Sequence, residues 1–287
     1  MYYQWKSPNY VFYASVSCEE KKRWTIHIGS VKRPACITIQ VYKKDPEALL
    51  QNLSFDSMCA SNKPMPRGIG TREMLSSALY FLQTNFKWVK RLAFTDYSRF
   101  HCDSISIPLS ELSFFVHQKT WYERYFDAVP MQTSSYTALR NTYAQTEWNA
   151  TQWPLLWNKY FRRFELPETD VQVLFQSHPK ATDFFAKIYK DYGCRPFVGA
   201  FASNGHSFFK VLQTELSRLE GTEWWIPMTV EIPSWFHVVK IKNLPPMDWT
   251  PPVSHRPKWL GGENHMLIYA SDQEFREDFT SSVPEFS

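Results

Sequence analysis

Arg67-Gly68-Ile69-Gly70-Thr71 stands between a strand-like run and an amphipathic run. Glycines at such a place let the backbone approach a ligand closely, and the helix that follows puts several N–H groups and the positive end of its dipole behind them. The chemistry suited to that arrangement is the holding of a phosphate or a similar anion. Neither Gly-x-x-x-x-Gly-Lys-Ser/Thr nor Gly-x-Gly-x-x-Gly occurs in the chain, so ATPase P-loops and Rossmann dinucleotide turns are excluded. His101, His117 and the other histidines form no His-Glu-x-x-His or comparable set, and no metal is expected. Cys18, Cys36, Cys59, Cys102 and Cys194 are odd in number, widely spaced and free of any Cys-x-x-Cys pair, which reads as buried free thiols. Cys59 is taken as a core thiol because no His stands at a recognisable offset to activate it.

The elements that must position the turn follow from periodicity. Tyr10 to Ser17, Trp24 to Val31 and Ala35 to Tyr42 alternate with period two and are separated by polar breaks, predicting three antiparallel strands. A fourth strand is expected around Leu53 to Met58, before Pro64 and Pro66 interrupt the pattern. Met74, Leu75, Ala78, Leu79 and Leu82 then recur at helical spacing within Thr71 to Phe86, and Arg91 to Thr95 reads as a fifth strand parallel to the fourth. A further helix is predicted from Pro108 to Phe126, and amphipathic helices over Trp153 to Phe164, Lys180 to Asp191 and His206 to Leu219. Trp224 to Trp259 is crowded with Pro and Trp and is expected to run extended over the surface. The organisation expected is a core over 1–130, a helical extension over 131–222 and a Pro/Trp-rich tail over 223–287.

Composition narrows the partners. An aromatic content of 17% within a 44% hydrophobic chain excludes general disorder. A formal charge of +4, scattered in short groups such as Lys21-Lys22-Arg23, lacks the concentrated basic stripe of a nucleic-acid module. No run of about 18 apolar residues and no signal-peptide pattern occurs, so a membrane span is not expected and the cytosol is the expected location.

The order meander, Asp56-bearing strand, Arg-Gly-Ile-Gly-Thr turn, helix, strand and a helix carrying Lys119-Thr120-Trp121-Tyr122-Glu123-Arg124-Tyr125-Phe126 resembles the GNAT N-acetyltransferase family. That family's turn has the pattern Gln/Arg-x-x-Gly-x-Gly/Ala; Met65-Pro66-Arg67-Gly68-Ile69-Gly70 matches both glycines and has Met65 at the Gln/Arg position. The resemblance is closer to GNAT-like proteins encoded by large DNA viruses, in which phrases like Arg67 to Met74, Lys119 to Phe126 and Gly193-Cys194-Arg195-Pro196-Phe197 recur, and it extends over roughly the first 220 residues. It implies an α/β (α+β) fold with a mixed, mostly antiparallel sheet flanked by helices.

The resemblance further implies that Arg67, Gly68, Ile69, Gly70 and Thr71 bind the pyrophosphate of acetyl-coenzyme A, and that backbone near Phe55 to Cys59 takes the pantetheine arm. Tyr122 is the implied proton donor to the departing thiolate, with core packing as its alternative. Asp56 is the first candidate for general base, ahead of Asp96. The expected activity is direct transfer of acetyl to an amine on a protein or small molecule, with acceptor loops at 43–48 and 98–107. The alternative is a catalytically silent GNAT-like scaffold, a virion structural or interaction protein that engages a protein partner through its tail. For a viral chain the location would be host cytoplasm or virion.

Overall fold

The computed structural model describes residues 1–29, 36–53, 59–65, 68–102, 105–145, 147, 150–196, 221–231 and 236–243. Chain contacts divide these into two compact units. The first takes in Met1–Asp96, Tyr125–Val129 and the described residues from Glu223 on; the second takes in Tyr97–Arg124 and the described residues of Pro130–Thr222. The chain is α+β, with a mostly antiparallel open sheet flanked by helices.

In the first unit β1 (Tyr2–Lys6), β2 (Val11–Glu19), β3 (Arg23–Gly29), β4 (Ile37–Tyr42) and β5 (Glu47–Leu53) form an antiparallel meander. Alternation decides which face is buried: Ile26 and Ile28, and Ile37, Ile39 and Val41, are fully enclosed, whereas His27 between them is exposed. The chain then crosses through α1 (Ile69–Asn85) to β6 (Arg91–Thr95), which pairs with β5 in parallel. Met74, Leu75, Ala78, Leu79 and Leu82 form the buried stripe of α1. Phe81 continues that stripe onto β1, with its ring centroid 4.9 Å from those of Tyr3 and Trp5. Phe86, Trp24 and Trp88 close the far end as a set of edge-on and tilted rings.

The sheet differs from the sequence expectation at its margins. β10 (Glu223–Pro227) pairs with β6, and β11 (His237–Ile241) pairs with β1, so part of the Pro/Trp-rich tail is strand instead of surface strap. Burial gives the reason for β10, whose Trp224 and Ile226 alternate inward and are fully enclosed, whereas β11 is an edge strand with no buried residue. With β9 (Val129–Pro130), the strand order is β11-β1-β2-β3-β4-β5-β6-β10-β9. β5 is described as far as Leu53, and residues 54–58 of the strand expected around Leu53 to Met58 lie outside the described residues.

The second unit carries the hairpin β7 (Arg99–Cys102) and β8 (Ile105–Pro108), followed by α2 (Leu109–His117) and α3 (Trp121–Phe126), of which the last two residues belong to the first unit. One helix was expected across this region. Gln118 takes a left-handed conformation (φ 57°) that ends α2, and Thr120 then starts α3 with a capping box: Thr120 N–H donates to Glu123 Oε2 at 2.7 Å, and Glu123 N–H donates to Thr120 Oγ1 at 3.4 Å. Further helices are α4 (Thr133–Gln145), α5 (Trp153–Leu156), α6 (Glu168–Ser177) and α7 (Ala181–Tyr192), with a π-helical turn over Trp157–Phe161. The helix expected at His206 to Leu219 lies outside the described residues.

The cysteine expectation is corrected. Cys36 pairs with Cys59 and Cys102 with Cys194, each with Cα atoms 6.0 Å apart, leaving Cys18 as the free, exposed thiol. Partners 23 and 92 residues apart are brought together by the fold, which spacing along the chain does not reveal. Among the described residues no helix is long and apolar enough to cross a membrane.

Candidate functional site

The parallel pair at the centre of the first unit opens towards its C-terminal end. β5 and β6 are paired from Glu47↔Arg91 to Leu49↔Ala93, after which β5 continues to Leu53 and β6 to Thr95 with no further pairing between them among the described residues. A register shift lies just beyond the last pair: Ile39 faces Leu50 and Thr38 faces Asn52, so Gln51 is the extra residue of a β-bulge. A bulge bends and twists its strand and takes one residue out of the ladder. β6 meanwhile follows β10, with Phe94 opposite Trp224 and Thr95 opposite Glu223. The two central strands thus separate at their carboxyl ends, the place where open sheets with parallel strands leave a crevice.

The helix that crosses between these strands begins at that same end. Gly68 is its N-cap at φ 68° and ψ −95°, a conformation open to glycine and strained for other residues. Its carbonyl accepts the Arg72 N–H at 2.9 Å, which starts the helix. Ile69, Gly70 and Thr71 occupy the first three helical positions, whose N–H groups no carbonyl of the helix can reach. No acidic side chain stands in the first turn. Thr71 is 1% exposed and its Oγ1 has no hydrogen-bond partner, a costly state for a buried hydroxyl.

Gly70 has a different reason to be glycine. A Cβ built there would lie 2.2 Å from Met65 Cγ and 3.0 Å from Met65 Sδ. Met65 is 1% exposed, so the residue at the motif's Gln/Arg position is turned inward and fills the space above the helix start. Ile69, between the two glycines, is exposed. Arg72 turns its guanidinium over the Tyr125 ring, 4.8 Å from the centroid.

Arg67 and Asp56 lie outside the described residues, so the structure brings together only Gly68, Ile69, Gly70 and Thr71 of the expected binding set. Asp96 directly follows β6 and is 2% exposed. Of the expected pantetheine segment, Cys59 is described, and its thiol is used in the disulfide with Cys36. Comparison of the chain with protein-family models, with curated proteins and with solved structures finds no match. Tyr122 belongs to the second unit, fully buried, with its ring edge-on to Trp121 at 5.0 Å.

Glu123 beside it has several partners of its own. Besides capping α3 it accepts the Tyr136 hydroxyl at 2.6 Å and lies 3.6 Å from Arg140 Nη1. Burial first, and then the Glu123 charge, push the Tyr136 phenol well above its ordinary range. His117 is held neutral, its pKa lowered to about 3 by desolvation and, secondarily, by the Arg124 charge. Among the described residues no group of three or more His, Cys, Asp or Glu side chains could hold a metal.

Sequence reasoning missed Glu73. This carboxylate, 8% exposed, accepts Ser7 Oγ at 2.5 Å and Asn9 Nδ2 at 2.6 Å. The available signal was a charged residue set directly against the apolar stripe of α1, next to Met74, with a Ser-Pro-Asn turn elsewhere in the chain to satisfy it.

Proposed function

We propose that the first unit is a GNAT-like acyl-coenzyme A site and that the chain is an N-acetyltransferase. The observation that carries this reading is the separation of β5 from β6 just beyond Leu49, at the end of the sheet where the Gly68-capped helix begins. A pantetheine arm is an extended amide chain, and a gap between parallel strands offers it unpaired backbone. A pyrophosphate suits the N–H groups of Ile69, Gly70 and Thr71 and gives the Thr71 hydroxyl an acceptor.

In this reading the deprotonated amine attacks the thioester carbonyl directly. The new C–N bond forms as the carbonyl oxygen takes up charge and is held by a β5 backbone N–H; the nitrogen then gives up its extra proton to the base, the carbonyl re-forms as the C–S bond breaks, and the thiolate takes a proton. Asp56 and Asp96 are the proposed bases. An Asp96→Asn variant that keeps its fold and its acetyl-coenzyme A affinity should lose turnover; unchanged turnover would leave Asp96 a structural role.

The inward-turned Met65 favours a second reading, a GNAT-like scaffold that works as an interaction or virion protein, because an apolar, enclosed side chain at this position offers a phosphate no polar group. Isothermal titration of the full chain with acetyl-coenzyme A and with acetyl-pantetheine, which lacks the pyrophosphate, separates the two. The enzyme reading expects affinity in the micromolar range for the first and a large loss for the second. Absence of heat at millimolar acetyl-coenzyme A would leave the scaffold.

A further inference from the structure

The turn between β1 and β2 grips the glycine turn from both sides. On the outgoing side Glu73, in the second turn of α1, accepts Ser7 Oγ at 2.5 Å and Asn9 Nδ2 at 2.6 Å. On the incoming side Ser61 N–H donates to Val11 O at 2.8 Å, Val11 N–H donates to Asn62 Oδ1 at 2.9 Å, and Asn62 Nδ2 donates to Asn9 O at 3.2 Å. Lys63 adds its ammonium 5.0 Å from the Tyr10 ring centroid. Ser7 is fixed in turn, since its Oγ accepts the Tyr10 N–H at 3.0 Å. Asn9 therefore touches both flanks: its carbonyl meets the segment that enters the glycine turn, and its side chain meets the helix that leaves it.

A buried carboxylate held by neutral donors is an expensive way to attach a helix, because a well-packed apolar residue there would cost less. What directional hydrogen bonds provide, and apolar packing does not, is a fixed position and rotation of the helix start. An anion site made from backbone N–H groups depends on that precision, since its donors have no side-chain freedom with which to correct an error. We propose that Asn9, acting through Glu73 and Asn62, is a positioning residue that sets the Gly68–Thr71 turn for its anion. This inference rests on the reading that the turn takes the pyrophosphate of acetyl-coenzyme A.

The test compares full-chain wild type with Asn9→Ala by two readouts. Amide exchange is followed at Arg72, which donates to Gly68 O at 2.9 Å, and at Leu79 and Leu82 in the buried part of the same helix. Affinity for acetyl-coenzyme A is measured by titration. Loss of one hydrogen bond to a charged group should speed Arg72 exchange about tenfold and weaken binding about tenfold, with Leu79 and Leu82 unchanged. Exchange accelerated equally along α1 would mean general structural support and overturn the proposal, as would unchanged exchange at Arg72. Local acceleration in a protein whose wild type gives no heat with acetyl-coenzyme A would uphold the clamp and remove the cofactor reading. If Asn9→Ala does not fold, Asn9→Ser, which keeps a turn-forming residue but removes the amide that reaches Glu73, is judged by the same comparison of Arg72 with Leu79 and Leu82.

Discussion

Replacing Thr71 with Val should raise stability and lower affinity for acetyl-coenzyme A in the same protein. Val keeps the shape and the β-branch of Thr and has nearly the same helix propensity, so the change reduces to exchanging a hydroxyl for a methyl. The hydroxyl is 1% exposed and without a partner. Leaving such a group buried costs about 1–3 kcal/mol, and the methyl removes that cost while adding apolar contact. We expect stabilisation by about 1–2 kcal/mol, or an increase in Tm of roughly 2–8 °C for a unit of this size. If the hydroxyl donates to a phosphate oxygen in the complex, its loss should weaken binding by about 1.5–3 kcal/mol, at least tenfold. Urea denaturation gives the first quantity and isothermal titration the second. A destabilised Thr71→Val protein would refute the reasoning, because it would show the hydroxyl already satisfied within the fold. A stabilised variant with unchanged affinity would keep the burial argument and sink the anion assignment.

Gly70→Ala should destabilise by about 1–3 kcal/mol despite the better helix propensity of Ala, since the new Cβ meets Met65 Cγ at 2.2 Å. Adding Met65→Ala should recover part of that loss, and additivity of the two changes within about 0.5 kcal/mol in denaturation would argue against the contact. Alkylation of the native, unreduced chain followed by mass spectrometry should label Cys18 alone, and all five cysteines after reduction and unfolding; two or more native labels would contradict the pairing. His117, with a folded pKa of about 3, stays neutral in the native state, while the unfolded chain binds a proton below its own pKa of about 6.5. Above that value the group makes no difference; as pH falls from about 6.5 towards 3 stability is lost, by about 1–2 kcal/mol at pH 5. His117→Gln should flatten that part of the pH profile of the urea midpoint, and parallel profiles would exclude His117 as the cause.

Periodicity carries the centre of the first unit well because one face of each strand is buried there. Ile37-Thr38-Ile39-Gln40-Val41 alternates in sequence and in burial alike, and the helix stripe of Met74, Leu75, Ala78, Leu79 and Leu82 behaves in the same way. The method weakens where an element buries little of itself. β1 has a single fully buried side chain, Trp5, in five residues, and α6 has Val171 and Phe175 in ten, too few to form a legible stripe. It fails differently for β10, where Pro and Trp suggested a surface segment although alternate side chains of Trp224-Trp225-Ile226 point into the core. Disulfides and the Asn9–Glu73 link are relations between distant positions, and local pattern holds no information about them. The glycine turn was legible as a turn because φ of 68° at Gly68 demands glycine, but the packing reason for Gly70 was visible only once Met65 was placed beside it.

Met65 is also where the two functional readings meet. In the family pattern this position is Gln or Arg, side chains with a polar end to offer a phosphate. Here the side chain is enclosed, its Cγ occupying the space above Gly70, so a Gln at this place would bury an amide or push the helix start aside. Arg72 cannot replace it while its guanidinium rests on the Tyr125 ring. Charge for an anion must then come from Arg67 or from the helix itself, and hydrogen bonding from the Ile69, Gly70 and Thr71 N–H groups with the Thr71 hydroxyl. On the proposed reading such a site would hold its anion by the placement of fixed dipoles more than by mobile cations. That reading would account for the buried Glu73 carboxylate and Asn9 beside the turn, and for the buried Thr71 hydroxyl that has no partner within the fold.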